Sequence, residues 1–407
     1  MAATIARTAR SYKQGGPCAP APEVPAMTRI LCLLLPLLLL GACAPVATHE
    51  ASGGITREQV LAGEPLFGPG TLPPLPEADI LALDQPMRDF LARHVDRHAS
   101  APVRLRQLVH AVIDPGSFGL HYSEATRTAR ETFATRDGNC LSFTTLFVAL
   151  AREAGLKARF QQIDIPPDWE QRGELFVLNR HVNVLIDLGP DGRRAVDFNV
   201  ADYRSGYDRE PVSDRRAEAH YHSNLGATQL QAGELRAAFL HLRRGLQADA
   251  SFSPLWTNLG TVYLRAGALG HAEASYLEAL RHDAADMVAA SNLAGLYERR
   301  GDAALATHYR ELAERHRDNN PYFRFQRARA AFFAGDYAAA RGDLDFAIRR
   351  KPVEDTFYFL RALVHLRLGD RDGARADLER AESVAFDEAL KRNYHAKMQL
   401  LPGQPER

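Results

Sequence analysis

Gly233, Gly267, Gly301, Gly335 and Gly369 stand 34 residues apart at every step, and this period constrains the C-terminal half more than any other feature. Ala238, Ala272, Ala306, Ala340 and Ala374 repeat in the same register. A fixed period of this length means one helix pair copied in series, since a single pair cannot bury its own apolar face. Small residues recur where two helices approach closely. Glycine recurs at the turn between them, where positive φ is cheap. The units begin near Ala219, Ser253, Met287, Pro321 and Asp355 and fill residues 219–388. Glu388 to Leu401 predicts a capping helix inside a final segment, 389–407.

The run Trp256-x2-Leu259-Gly260-x2-Tyr263, with Ala272 and Tyr276 after it, resembles the tetratricopeptide repeat. Leu225-Gly226 and Leu293-Ala294 are weaker copies, and Pro352 takes the repeat's terminal proline position. The resemblance implies an all-α solenoid that binds a protein or peptide, against the alternative of a structural spacer. Tyr297, Arg324, Arg361 and His365 either line a binding face or are ordinary solvated positions, so no site is assigned to them.

A chain of 407 residues exceeds one compact domain. Lys plus Arg and Asp plus Glu are each 50, and this zero balance argues against a nucleic-acid partner. Near the start, Met27-Thr28-Arg29 precedes a short apolar run ending at Leu40, too short to span a bilayer and typical of a signal peptide. Its end, Leu40-Gly41-Ala42-Cys43, resembles a bacterial lipobox. That resemblance makes Cys43 the lipid attachment site and first residue of a membrane-tethered mature chain, with Ala44 pointing to the outer membrane and the periplasm. An ordinary cleaved secretory signal is the alternative. Residues 1–43 are thus an upstream segment and signal, with Met1 or Met27 as initiator. Residues 44–75, rich in Pro, Gly and small residues, read as a linker.

Residues 76–205 are enough for one small domain. Asp84 predicts the cap of a helix carrying Met87, Phe90, Leu91 and Val95. Ser100 and Pro102 open another, with Val103, Leu105, Leu108 and Val112, and Ser123-Glu124 suggests a third. The next begins at Cys140, with Asn139 as N-cap and Gly138 permitting a sharp entry. Phe143, Phe147, Leu150, Ala151 and Ala154 form its apolar stripe, and Gly155 ends it. Strands are predicted at 157–163, within 175–188 and at 194–199. In the second, Phe176, Leu178, Val182, Val184 and Ile186 share a face by period two, and His181 and Asn183 point the other way. Asp197 follows Val196 at a strand edge.

With Cys18 and Cys32 in the segment to be removed and Cys43 lipidated, Cys140 is left as a lone thiol without a disulfide partner. It is either a small buried hydrophobe or a nucleophile. In the first turn of a helix, the dipole and unpaired amides favour a thiolate and suit an oxyanion. Gly138-x-Cys140, the helix Leu146 to Leu156, His181 and Val196-Asp197 resemble, in kind and order, the transglutaminase-like superfamily, a branch of the papain-like fold. The fold implied is an α+β papain/transglutaminase-like domain followed by an all-α tetratricopeptide-repeat solenoid.

By the same resemblance Cys140 is the nucleophile, His181 its base and later acid, and Asp197 the orienting carboxylate. Asp187 and Asp202 are rival carboxylates. Where many relatives carry an aromatic residue shortly after the histidine, this chain has Val182-Asn183; where many carry proline after the aspartate, it has Phe198. No His-Glu-x-x-His, Gly-x-Ser-x-Gly or phosphate-binding loop occurs, so neither metal nor cofactor is expected. His220 and His222 read as surface residues. The function implied is an envelope-anchored cysteine peptidase/amidase or transamidase, with repeats that bind a protein and no nucleic-acid partner. The alternative is a non-catalytic lipoprotein adaptor that scaffolds an envelope complex.

Overall fold

The computed structural model describes residues 6–8, 54–113, 118–164, 170–172, 175–177, 181–198, 208–385 and 388–400. Met27, Cys43, Leu178 and Asp202 lie outside the described residues. The N-terminal elements are β1 (Ala6–Thr8), α1 (Arg57–Ala62), α2 (Glu64–Phe67), α3 (Gln85–His94), α4 (Ala101–Ile113), β2 (His121–Tyr122), α5 (Ala129–Thr135), β3 (Asp137–Gly138) and α6 (Cys140–Glu153). Then come β4 (Lys157–Asp164), β5 (Glu170–Arg172), β6 (Leu175–Val177), β7 (His181–Asp187), β8 (Arg193–Val196) and β9 (Asp208–Val212). The last strand lies past residue 205, so the sheet domain runs further than the sequence suggested.

The main sheet has strand order β1-β8-β7-β4-β9, every pair antiparallel. Its outer strand β1 comes from the span read as upstream segment and signal. A chain cleaved before Cys43 would lack that strand and leave the outer edge of β8 unpaired. Val182, Val184 and Ile186 of β7 pack with Phe160 and Val196 into one core with α6. Helix α6 is buried on every face from Leu141 to Ala151, not along a single stripe. A helix apolar all round becomes the centre of a domain, and here α3, α4 and α5 pack on it together with β4 and β7. The helix expected after Ser123 starts later. Thr128 caps α5 in a capping box with Glu131, while the Ser123 hydroxyl donates to Asp137.

The repeats form five helix pairs among the described residues: α7 (Asp214–Gln231) with α8 (Leu235–Ala248), α9 (Ser253–Arg265) with α10 (Leu269–His282), α11 (Met287–Arg300) with α12 (Ala303–Asn319), α13 (Pro321–Ala334) with α14 (Tyr337–Arg350), and α15 (Asp355–Arg367) with α16 (Arg371–Val384). The cap α17 (Glu388–Gln399) follows. The periodic glycines hold φ between 77° and 84°, and the periodic alanines are buried. A Cβ on Gly260 would lie 2.5 Å from the Tyr276 ring, which is why the first helix of that repeat carries glycine there.

Helix α7 begins five residues before Ala219 and belongs to both halves. Ala217 and Tyr221 enter the core of the sheet domain, and Ala219 and Leu230 that of the repeats. His220 and His222, expected at the surface, are therefore buried. His220 Nε2 meets Gln162 Oε1 of β4 at 3.0 Å, and His222 Nδ1 meets His241 Nδ1 at 3.2 Å. Arg152 of α6 donates to both Asp214 oxygens, at 2.6 and 2.8 Å.

The span 44–75 is not a linker throughout. Thr56 caps α1 in a capping box with Gln59, and α1 and α2 dock on the repeats. Val60 and Leu66 enter the repeat core, Arg236 donates to the Leu66 carbonyl at 2.9 Å, and Arg57 sits 5.2 Å over the Trp256 ring. A Cβ on Gly63 would lie 2.7 Å from Phe239, so the junction of the two helices must be glycine. Apolar Val60, Leu66 and Phe67 at short intervals were the signal for this docking. Among the described residues no helix is long and apolar enough to cross a membrane.

Candidate active site

Cys140 is the first residue of α6. Asn139 caps the helix, its Oδ1 accepting from the Ser142 amide at 3.0 Å, and its Nδ2 donates to Thr126 at 2.7 Å. The entry is tight: a Cβ on Gly138 would lie 2.6 Å from the Ser142 Cβ. The Ser142 hydroxyl bonds Ala125 O at 3.1 Å and accepts from the Arg127 amide at 2.9 Å. These contacts fix the loop before the helix against residues 125–127. Asn139 satisfies the Ser142 and Phe143 amides through its side chain and carbonyl. The earlier amides of the turn, at Cys140 and Leu141, have no intrahelical acceptor by construction. Tyr122, 52% exposed, pairs across β2 and β3 with Gly138, which lies two residues before Cys140.

His181 opens β7. Its position over the helix start is set by Thr144, one turn after Cys140, whose buried hydroxyl donates to the Val182 carbonyl at 2.9 Å. His181 Nε2 lies 2.7 and 2.9 Å from the two oxygens of Asp197. Both side chains are buried. Val184 pairs with Val196, so one step along the antiparallel register Asn183 faces Asp197, on the face that also carries His181. The period-two expectation for β7 holds in this respect.

With Nε2 committed to the carboxylate, Nδ1 is the ring nitrogen left for the thiol. Burial alone lowers the basicity of His181. The hydrogen bond that the ring donates to Asp197, and after it the interaction with Cys140, outweigh burial and raise the imidazole to about 9. The ring is therefore imidazolium at neutral pH and placed between a carboxylate and a sulfur. The rival Asp187 ends β7, and its carboxylate accepts from the Gly189 amide at 2.9 Å, a turn contact away from the histidine.

The partners of this trio are not legible in the sequence. Asn183 donates from Nδ2 to Asp197 Oδ2 at 2.9 Å and is fully buried. Its oxygen, and that of Gln161 directly across the β4–β7 pair, are buried without a partner among the described residues. The available signal was a polar Asn183 two residues after His181, on the same face of the predicted strand. Among the described residues, no group of three or more His, Cys, Asp or Glu is arranged to hold a metal. In the repeats, Arg361 is held by Asp377 and Asp345, Arg324 by Asp343, His365 by Asp370, and Tyr297 donates to Glu273. These four side chains are committed inside the array.

Comparison with known proteins agrees with this division. The transglutaminase-like superfamily model matches residues 91–182, which include Cys140 and His181 and stop before Asp197. A tetratricopeptide-repeat model matches residues 356–388, the fifth helix pair. The chain thus carries a transglutaminase-like core domain followed by tetratricopeptide repeats. No curated protein matches it.

Among solved structures, YrrB, described as a TPR protein with an unusual peptide-binding site, is 20% identical over 45% of this chain and 94% of its own, with a TM-score of 0.24. MamA protein is 18% identical over 46% of this chain and 98% of its own, with a TM-score of 0.23. A tetratricopeptide repeat protein from Parabacteroides merdae ATCC 43184 is 19% identical over 45% of this chain and 71% of its own, with a TM-score of 0.24. The repeat assignment rests on period and helix pairing, not on these likenesses.

Proposed function

We propose that the protein is a cysteine enzyme acting on amide bonds, tethered to the bacterial envelope. The carrying observation is the buried His181–Asp197 pair with Cys140 on its other side, at a helix start. With the thiol proton already on His181 Nδ1, Cys140 Sγ attacks the carbonyl carbon. The carbonyl oxygen becomes an oxyanion beside the first amides of α6. His181 then protonates the leaving nitrogen as the C–N bond breaks, which leaves a thioester. Water attacks the thioester with His181 as base and releases the acid; an amine in its place gives a new amide. Hydrolysis is the favoured outcome. The repeats hold a protein substrate or partner, and α7, shared by both cores, fixes them relative to the site.

The tether rests on Leu40-Gly41-Ala42-Cys43. It predicts incorporation of labelled palmitate that is lost in Cys43→Ala, with the protein in the outer membrane facing the periplasm. The enzyme reading is tested by iodoacetamide alkylation against pH, quantified on the Cys140 peptide by mass spectrometry, for the full chain and His181→Ala. Labelling well below pH 8.5, lost in the variant, supports an activated pair. Slow labelling that His181→Ala does not change sinks it and leaves a binding module.

A further inference from the structure

Strands β4 and β7 pair Gln161 with Asn183, and Asp197, directly after β8 and one step past the Val184–Val196 pair, lies beside Asn183 on the same face. Asp197 accepts from His181 Nε2 and from Asn183 Nδ2 within that face. Asn183 is 0% exposed and Gln161 7% exposed, so neither side chain is there to be solvated. Burying an amide costs free energy unless its polar atoms are paired. Asn183 cannot turn its amide over, because that would aim its oxygen at the carboxylate. Its Oδ1 therefore faces away from Asp197 and is unpartnered, as is Gln161 Oε1. Directly opposed residues of an antiparallel pair lie close enough for side chains to meet. Turning the Gln161 amide over would put a donor where its unpartnered oxygen now lies, since oxygen and nitrogen of such groups are assigned and not seen.

We infer that Asn183 is a positioning residue for Cys140 chemistry: its amide fixes the Asp197 carboxylate toward His181, and Gln161 backs it from the next strand. The inference rests on the proposed cysteine-enzyme reading and deepens it. A carboxylate with one donor can swing about its Cβ–Cγ bond. With a second donor on Oδ2 it is held in the orientation that presents both oxygens to Nε2. The imidazole in turn is held with Nδ1 toward the sulfur. Hydrogen-bond rows of this kind strengthen one another in a buried setting.

The test uses the full chain. Wild type, His181→Ala, Asn183→Leu and Asn183→Ser are compared by alkylation of Cys140 against pH, by the imidazole titration of His181 in NMR, and by thermal melting. Asn183→Leu keeps volume and removes the donor. It is expected to slow alkylation at pH 7 by about 10-fold or more and to move the His181 midpoint down from about 9 toward 6.5. Asn183→Ser keeps a donor and recovers part of both. If Asn183→Leu labels at the wild-type rate with an unchanged midpoint, the inference is overturned, whatever the melting temperature does, because a purely structural residue would move only the melt. The wild-type and His181→Ala pair separates the two failures. Activation present in that pair but untouched at Asn183 ends this inference alone; no activation in that pair ends both.

Discussion

The sheet domain and the repeat array bury polar groups by opposite rules. In the array, the buried alanines recur every 34 residues, and paired polar side chains find their partners on a neighbouring helix. Arg361 meets Asp377, and 34 residues earlier Arg327 meets Asp343. In the sheet domain, Cys140, His181 and Asp197 show no period and come from a helix start, a strand start and a strand end. The array repeats a packing solution, and substitution within it is felt nearby. The site is built once, from elements that meet only when the whole sheet closes on α6. Even within the array the solution varies. Leu259 and Leu293 occupy the register that Arg327 and Arg361 fill further on, so the same helix pair is held by apolar contact early and by ion pairs late.

The sharpest way to break this comparison is Asp197→Asn, which keeps shape and removes charge at the point where the site converges. Alkylation of Cys140 at neutral pH should fall about 100-fold while secondary structure, read by circular dichroism, stays intact. An equal fall from a substitution in the repeats would show that the site is not set by its own domain.

Next in size is Arg361→Leu, which leaves Asp377 buried without its main partner. Denaturant unfolding should show a loss of about 3 kcal/mol, and the double variant Arg361→Leu, Asp377→Leu should recover most of it. The double variant imports the apolar solution of the earlier repeats. If it is no better than the single one, the late repeats need their charges for more than balance.

The smallest effect is in pH. His181 is raised in the fold, from 6.5 to about 9, so its contribution is complete below about 6.5 and disappears as pH rises through about 9. His222 of the array is lowered to about 3, by burial first and then by His241 and Arg244. Its contribution is complete above about 6.5 and is lost as pH falls through about 3. Melting of His181→Gln against wild type should differ by about 5 °C at pH 6 and much less at pH 10. A constant difference across that range would mean that the imidazolium is not what Asp197 holds.

Much of the array was legible because its determinants are local. The second to fifth repeats begin at Ser253, Met287, Pro321 and Asp355, as the period predicts, and the periodic glycines carry the positive φ expected of them. Capping also reads locally: Asp84 accepts from the Met87 amide and Asn139 from Ser142. The exceptions are residues whose burial comes from elements distant in sequence. His220 and His222 look polar and exposed on a helix with no apolar stripe, yet a sheet covers one side of that helix and α8 the other. The segment before residue 75 reads as a linker by composition, yet Val60 and Leu66 find the repeat core nearly two hundred residues away.

By itself the sequence determined the two-part architecture, the repeat length, the helix that begins at Cys140 and the order of cysteine, histidine and aspartate. Those follow from short-range rules: turn chemistry, caps and apolar periodicity. Only the tertiary structure decided which carboxylate pairs with His181, that Asn183 is its second donor, and that α7 serves both cores. Those facts depend on strand register and on packing between remote segments. Neither is encoded within any one stretch of chain, because a hydrogen bond 14 or 16 residues long in sequence exists only after the sheet has closed.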